Sequence, residues 1–165
     1  MELYFLRHGI AVERGTPGYK DDSARPLTPK GRRQMKKVST ALRRMELEFD
    51  LILSSPLVRA KETAEMVAKR HKQQQKVVYA EALKPGGNGK NLVHQLGKLS
   101  HGKILLVGHE PDMSRLISLL IAGEESITID FKKAGLCKLE IVKLRHGRCA
   151  TLVWLLTPGQ MKCMR

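Results

Sequence analysis

The chain has few cysteines, few aromatic residues and no long apolar run, and each shortage removes a class of protein. Cys137, Cys149 and Cys163 are an odd set with no Cys-x-x-Cys pair, which argues against a disulfide framework. No Cys/His cluster has zinc-ligand spacing, so no metal site is expected. Cys137 and Cys149 lie in apolar runs and read as buried spectators. No apolar stretch approaches the roughly 20 residues that cross a bilayer, so no membrane role is expected. The opening run Met1-Glu2-Leu3-Tyr4-Phe5-Leu6 has no basic leader and reads as a first strand rather than a secretory signal, which points to the cytoplasm. No internal repeat, linker or low-complexity tract interrupts the 165 residues. One domain over residues 1–165 is the reading, and nothing demands more than a monomer.

Positive charge is what the chain has in excess. Its 30 Lys and Arg against 16 Asp and Glu give a net charge of +14, which steers acidic or phosphorylated partners. Nucleic acid is the rival partner, but aromatics make up only 4% and do not alternate with basic residues as a stacking platform requires. The cations are spread through the chain, at Arg32-Arg33, Lys36-Lys37, Arg43-Arg44, Lys69-Arg70 and Lys132-Lys133. Solvated helix faces account for most of them, and a separate role in binding a partner stays open.

Strand-like runs alternate with helical ones, the pattern of an α/β domain with a mostly parallel sheet. Residues 2–7 form the first strand candidate. Gly9 to Leu27, with Gly15, Pro17, Gly18 and Pro26, reads as a long irregular loop. Thr28-Pro29 supplies an N-cap and a first-turn proline, followed by Met35, Val38, Leu42 and Met45 at helical spacing. Asp50–Ser54 is a short strand, and Ser55-Pro56 opens a second helix. Lys76–Ala80 is a weaker strand, Pro85–Gly89 a flexible loop, and Leu92, Leu96 and Leu99 mark a third helix. Lys103–Val107 is the clearest central strand, and Pro111 stands near the start of a fourth helix. Two β-rich segments, Gly135–Lys143 and Cys149–Leu156, close the chain as a hairpin around His146-Gly147.

Three polar clusters follow predicted strands: Arg7-His8-Gly9, Ser54-Ser55-Pro56 with Arg59, and Gly108-His109-Glu110-Pro111. Ligands of open α/β sheets bind beyond the carboxyl ends of the strands, so these clusters can share a pocket. Two guanidiniums, Arg7 and Arg59, can grip phosphate oxygens bidentately. The helix start near Pro56 adds free N–H groups. One imidazole can attack phosphorus while the other stabilises the charged oxygens. Like-charge repulsion from the arginines should keep His8 neutral, and a hydrogen bond from its second ring nitrogen to a carbonyl would fix the tautomer. Taken singly, each residue has a plainer reading: His8 a turn histidine, Arg7 and Arg59 surface cations, His109 a helix cap, Gly9 and Gly108 turn punctuation. Ser54 and Ser55 read as helix-capping groups. His71, His94, His101 and His146 lie outside the clusters and read as structural or surface residues.

The segments Phe5–Gly9, Ser54–Ala64 and Leu106–Pro111 together resemble the motifs of the histidine phosphatase superfamily, the phosphoglycerate-mutase-like proteins. The short length, Arg25–Gly31 and Gly108–Pro111 are most similar to the SixA-type phosphohistidine phosphatases. The resemblance implies a three-layer α/β/α fold, His8 as the phosphorylated nucleophile, and Arg7, Gly9, Arg59 and His109 around the phosphate, with no cofactor. Many relatives carry a carboxylate general acid after the third strand. Here Glu81 is the nearest acid, Lys84-Pro85 stands in the expected place, and Asp21 or Asp22 is another candidate donor. A missing acid favours a leaving group that needs little protonation, hence a phosphohistidine on a signalling protein over a small phosphoester. The alternatives are a phosphatase or mutase of small phosphoesters, and a basic module that binds a phosphoprotein or nucleic acid.

Overall fold

A computed structural model describes residues 1–164. Six strands form one sheet: β1 (Glu2–Arg7), β2 (Leu51–Ser54), β3 (Val77–Tyr79), β4 (Lys103–Gly108), β5 (Leu136–Ile141) and β6 (Ala150–Leu156), in the order β3-β2-β4-β1-β5-β6. The first four in that order run parallel, and β5 and β6 return antiparallel. The helices are α1 (Pro29–Arg44), α2 (Val58–His71), α3 (Gly89–Gly97), α4 (Asp112–Ala122) and α5 (Pro158–Cys163). The fold is therefore α/β.

The sheet is buried on both faces, so its central strands are continuously apolar rather than alternating. Side chains still point to opposite faces in turn. Tyr4 and Leu6 of β1, with Leu105 and Val107 of β4, meet α1, α2 and α5 through Met35, Val38, Ala60, Ala64 and Met161. Leu3 and Phe5, with Ile104 and Leu106, meet α3 and α4 through Leu92, Leu96, Met113 and Ile117.

Local chemistry sets most boundaries. Thr28 caps α1 by accepting from the Gly31 amide. Gly31 is required there, because a Cβ would lie 1.9 Å from the Ile10 carbonyl oxygen. The second helix starts at Val58, later than Ser55-Pro56 suggests, and Leu57 stands at its cap without a side-chain bond. The third strand is shorter than expected, and Leu99 lies beyond α3. Helix α5 is an addition to the expected elements. Thr157-Pro158 repeats the start signal of Thr28-Pro29, and Thr157 and Gln160 cap each other's amides. The long loop after β1 is partly ordered, by a bridge between Ala11 and Leu27 and a 3-10 turn over Asp22–Ala24. Cys137 is buried, and burial pushes its thiol up to about 12; Cys149 is only half-buried.

Candidate active site

Register brings the three clusters together. Strand β4 lies between β1 and β2, with Arg7 opposite Gly108 and Ser54 opposite Val107. The next residues, His8, His109 and Ser55, therefore emerge side by side at the carboxyl end of the sheet. The connections leaving β2 and β4 pack on opposite faces, through α2 and α4, the divergence that opens a crevice. The His8 and His109 rings sit with centroids 5.0 Å apart, and the two residues are 8% and 3% exposed.

The carbonyl beside His8 fixes its tautomer, whereas His109 faces a hydroxyl. His8 Nδ1 lies 2.7 Å from the Gly9 carbonyl oxygen, so it carries the proton and leaves Nε2 with a free lone pair. His109 Nε2 lies 2.8 Å from Ser55 Oγ, which already accepts from the Leu57 amide at 3.3 Å. With one lone pair of that oxygen engaged, the Ser55 hydroxyl can donate to Nε2, an arrangement that leaves the hydrogen on His109 Nδ1. Burial pushes His8 down to about 3 against a partial lift from the Gly9 carbonyl, and the charges of Arg59, Arg7 and Lys133 add to the lowering. Desolvation outranks the like-charge repulsion expected from the sequence. His109 is likewise lowered to about 3, by burial first and then by His8 and Arg59.

The backbone of His8 is clamped from both sides. The His8 amide donates to the Gly108 carbonyl at 3.1 Å, and the Ala134 amide donates to the carbonyls of Arg7 and His8 at 3.0 and 3.1 Å. Ala134 holds φ at +61°, a left-handed conformation unusual for a residue with a Cβ. The Gly9 amide donates to Thr63 Oγ1 at 3.1 Å, and Thr63 Oγ1 donates to the Arg59 carbonyl at 2.7 Å. Gly9, expected to touch substrate, thus has its N–H committed to α2. Its missing side chain matters for packing, since a Cβ would lie 2.8 Å from Met35 Cγ.

Both arginines lie near enough to His8 for their charges to act on it. Arg7 Nη1 donates to the Phe131 carbonyl at 2.6 Å. Arg59, 3% exposed, donates from Nη1 to the Asp22 carbonyl at 2.7 Å and from Nη2 to Asp22 Oδ2 at 3.0 Å. Asp22 also accepts from Arg14 and Arg25 through Oδ1. Burial alone would raise this carboxyl, but the bonds from Arg25 and Arg14 and the charge of Arg59 outweigh it and hold Asp22 well below the usual carboxylate range. An acid held ionised in this way is a poor proton donor. Asp21 is exposed and capped onto Ser23. Glu81, its side chain 76% exposed, pairs with Lys84 on the surface.

Buried polar atoms are almost always hydrogen-bonded, so exceptions point to function. Arg7 Nε, Arg59 Nε and His109 Nδ1 are buried nitrogens without a partner among the described residues, as are single atoms of Gln34, His71, Gln73 and His101 away from these clusters. The first three belong to residues singled out from sequence. Asp22 and Ser55, expected as a candidate donor and a helix cap, complete the cluster as partners of Arg59 and His109. Arg25 and Thr63 join it as well, with the phrase Arg25–Gly31 and the place of Thr63 beside Arg59 as their only sequence signals.

Comparison with known proteins identifies the family and the fold. Residues 3–90 match the histidine phosphatase superfamily (branch 1). An uncharacterized protein of Picosynechococcus sp. (strain PCC 7002) is 37% identical over 149 residues, 89% of this chain and 86% of the relative. Among solved structures, the protein histidine phosphatase SixA complexed with tungstate superposes with a TM-score of 0.82 at 23% identity, covering 96% of this chain and 98% of that one. A phosphoserine phosphatase mutant from Entamoeba histolytica bound to phosphoserine gives 0.69 at 19% identity, with 96% and 98% covered.

Proposed function

Because the chain belongs to the histidine phosphatase superfamily, we propose that it is a metal-independent phosphatase that carries the phosphoryl group on His8 Nε2 and takes it from a phosphohistidine of a protein. The observation that carries this reading is that buried Arg7 Nε, Arg59 Nε and His109 Nδ1 lack partners, in residues whose charges or ring bear on His8, a neutral imidazole. Donors pre-aimed at one region stabilise the charge on phosphoryl oxygens without reorganising during the reaction.

His8 Nε2 attacks phosphorus in line. The bond from phosphorus to the leaving nitrogen breaks, and its electron pair stays on the departing imidazole. A phosphorylated imidazole already protonated on its second nitrogen leaves as a neutral ring, so the enzyme need supply no proton. Water then attacks phospho-His8, the P–N bond breaks, and inorganic phosphate is released with His8 restored. Arg7 and Arg59 hold the equatorial oxygens in both steps, and His109 donates to one of them. The charge that a magnesium ion supplies elsewhere comes from the guanidiniums.

The substrate class rests on the acids near the pocket. Asp22 is ionised and Glu81 is turned outward to Lys84, so neither is placed to protonate an alkoxide leaving group. The SixA similarity supports the same class. A monomer acting in the cytoplasm on a signalling phosphoprotein completes the reading.

The test is a side-by-side assay of a phosphohistidine peptide and a panel of phosphoesters, with acid-quench trapping of labelled enzyme. Wild type should favour the phosphohistidine peptide and yield label on His8. His8→Ala should lose turnover while keeping its fold. Turnover by that variant equal to wild type would reject the scheme.

A further inference from the structure

We infer that a cationic groove between α1 and α5 is the docking site for an acidic segment of the phosphorylated protein substrate. This rests on the phosphohistidine reading above.

The groove encloses about 740 Å³. Lys30, Arg33, Lys37 and Arg44 line it from α1, and Lys162 lines it from α5. On α1 these residues recur at helical spacing along one stripe, while Met35, Val38 and Leu42 point to the core. The stripe from Lys30 to Arg44 runs about 21 Å along the helix. No carboxylate lines the groove, and none of its cations makes an ion pair among the described residues. Arg32, on the neighbouring side of the same helix, is paired with Glu62. Like charges three and four residues apart destabilise a helix. The stripe therefore carries a cost inside the molecule that carboxylates of a partner would remove.

The head of the groove is linked to the His8 segment through Ile10 and Gln34. Ile10 lines it, two residues after His8, and Gly31 packs directly on the Ile10 carbonyl. Gln34, also in the lining, donates to the Lys133 carbonyl at 3.5 Å, and the Lys133 charge acts on His8. A chain held by its phosphohistidine at His8 can thus continue along α1 over unneutralised cations. An extended segment of about six residues spans that length.

The probes are two synthetic peptides, each carrying one phosphohistidine, a short glycine spacer and six residues of either glutamate or glutamine. Wild type should show a kcat/KM about tenfold higher for the glutamate peptide at low salt, since several exposed charge pairs each contribute a modest factor. The preference should fade as salt is raised. R33E/K37E, two exposed positions outside the catalytic pocket, should erase the preference and leave the glutamine peptide's kcat/KM unchanged. The matched control K98E/K143E, on residues exposed away from the groove, should keep it. Equal rates on both peptides with wild type, or a preference that survives R33E/K37E, would overturn the inference. A single-stranded DNA oligomer that inhibits more strongly than a glutamate-tail peptide, through the same two residues, would overturn it in favour of nucleic acid. Hydrolysis of neither peptide by wild type would instead reject the phosphohistidine reading.

Discussion

Replacing His8 by Asn should change how stability depends on pH, by an amount set by the burial of the ring. A free histidine titrates near 6.5, while His8 is held to about 3. At pH 5.5 the unfolded residue is therefore about nine-tenths protonated and the folded one is neutral. The unfolded state binds more protons, so this residue's contribution to stability is complete above about pH 6.5 and is lost as pH falls toward 3. Nine-tenths of a proton corresponds to a slope of about 1.2 kcal/mol per pH unit around pH 5.5. The slope does not depend on how far below 4.5 the folded ring titrates, only on its being neutral. Asn keeps a side-chain donor for the Gly9 carbonyl and removes the titration. Urea unfolding of both proteins at intervals from pH 5 to 6.5 should give a slope smaller by about 1.2 kcal/mol per unit in His8→Asn. Equal slopes would mean that His8 takes up no proton on unfolding. The ring would then already be protonated in the native state at pH 5.5 and unfit to attack phosphorus.

Asp22→Asn should tighten tungstate binding about tenfold, because one negative charge leaves the Arg59 side of the pocket. Weaker binding by calorimetry would show instead that the carboxylate is needed to organise Arg59. Gly31→Ala should destabilise the fold by about 3 kcal/mol or more in urea unfolding, since the added Cβ meets the Ile10 carbonyl oxygen rather than a yielding side chain. A cost below 1 kcal/mol would mean that the loop after β1 gives way easily.

Much of this was legible in the sequence because it depends on local chemistry. The Thr28-Pro29 helix start, the apolar run of β4 and the polar residues just past strands β1, β2 and β4 follow from short-range rules. The convergence of Arg7, His8, Arg59 and His109 follows from sheet topology, given that β4 inserts between β1 and β2. The rest depends on pairings across long separations. Asp22 reaches Arg59 over 37 residues through a loop without periodicity. Ser55 reads as a capping residue until β4 brings His109 against it. Desolvation of His8 could not be weighed against the arginine charges before its burial in the folded chain was known. Helix α5 was missed, because its brevity gives the periodicity little to work with even though Thr157-Pro158 carries the same signal as Thr28-Pro29.

The left-handed Ala134 has a consequence beyond its own strain. Residues with a Cβ hold that conformation only where surroundings impose it. Here the return is a single amide shared between the carbonyls of Arg7 and His8, opposite the bond from His8 to Gly108. The ring proposed to attack thus hangs from a peptide held by β4 on one flank and by the turn before β5 on the other, which limits its recoil as a phosphoryl group arrives and departs. The entropy of aiming is lost once, when the chain folds, and not again at each turnover.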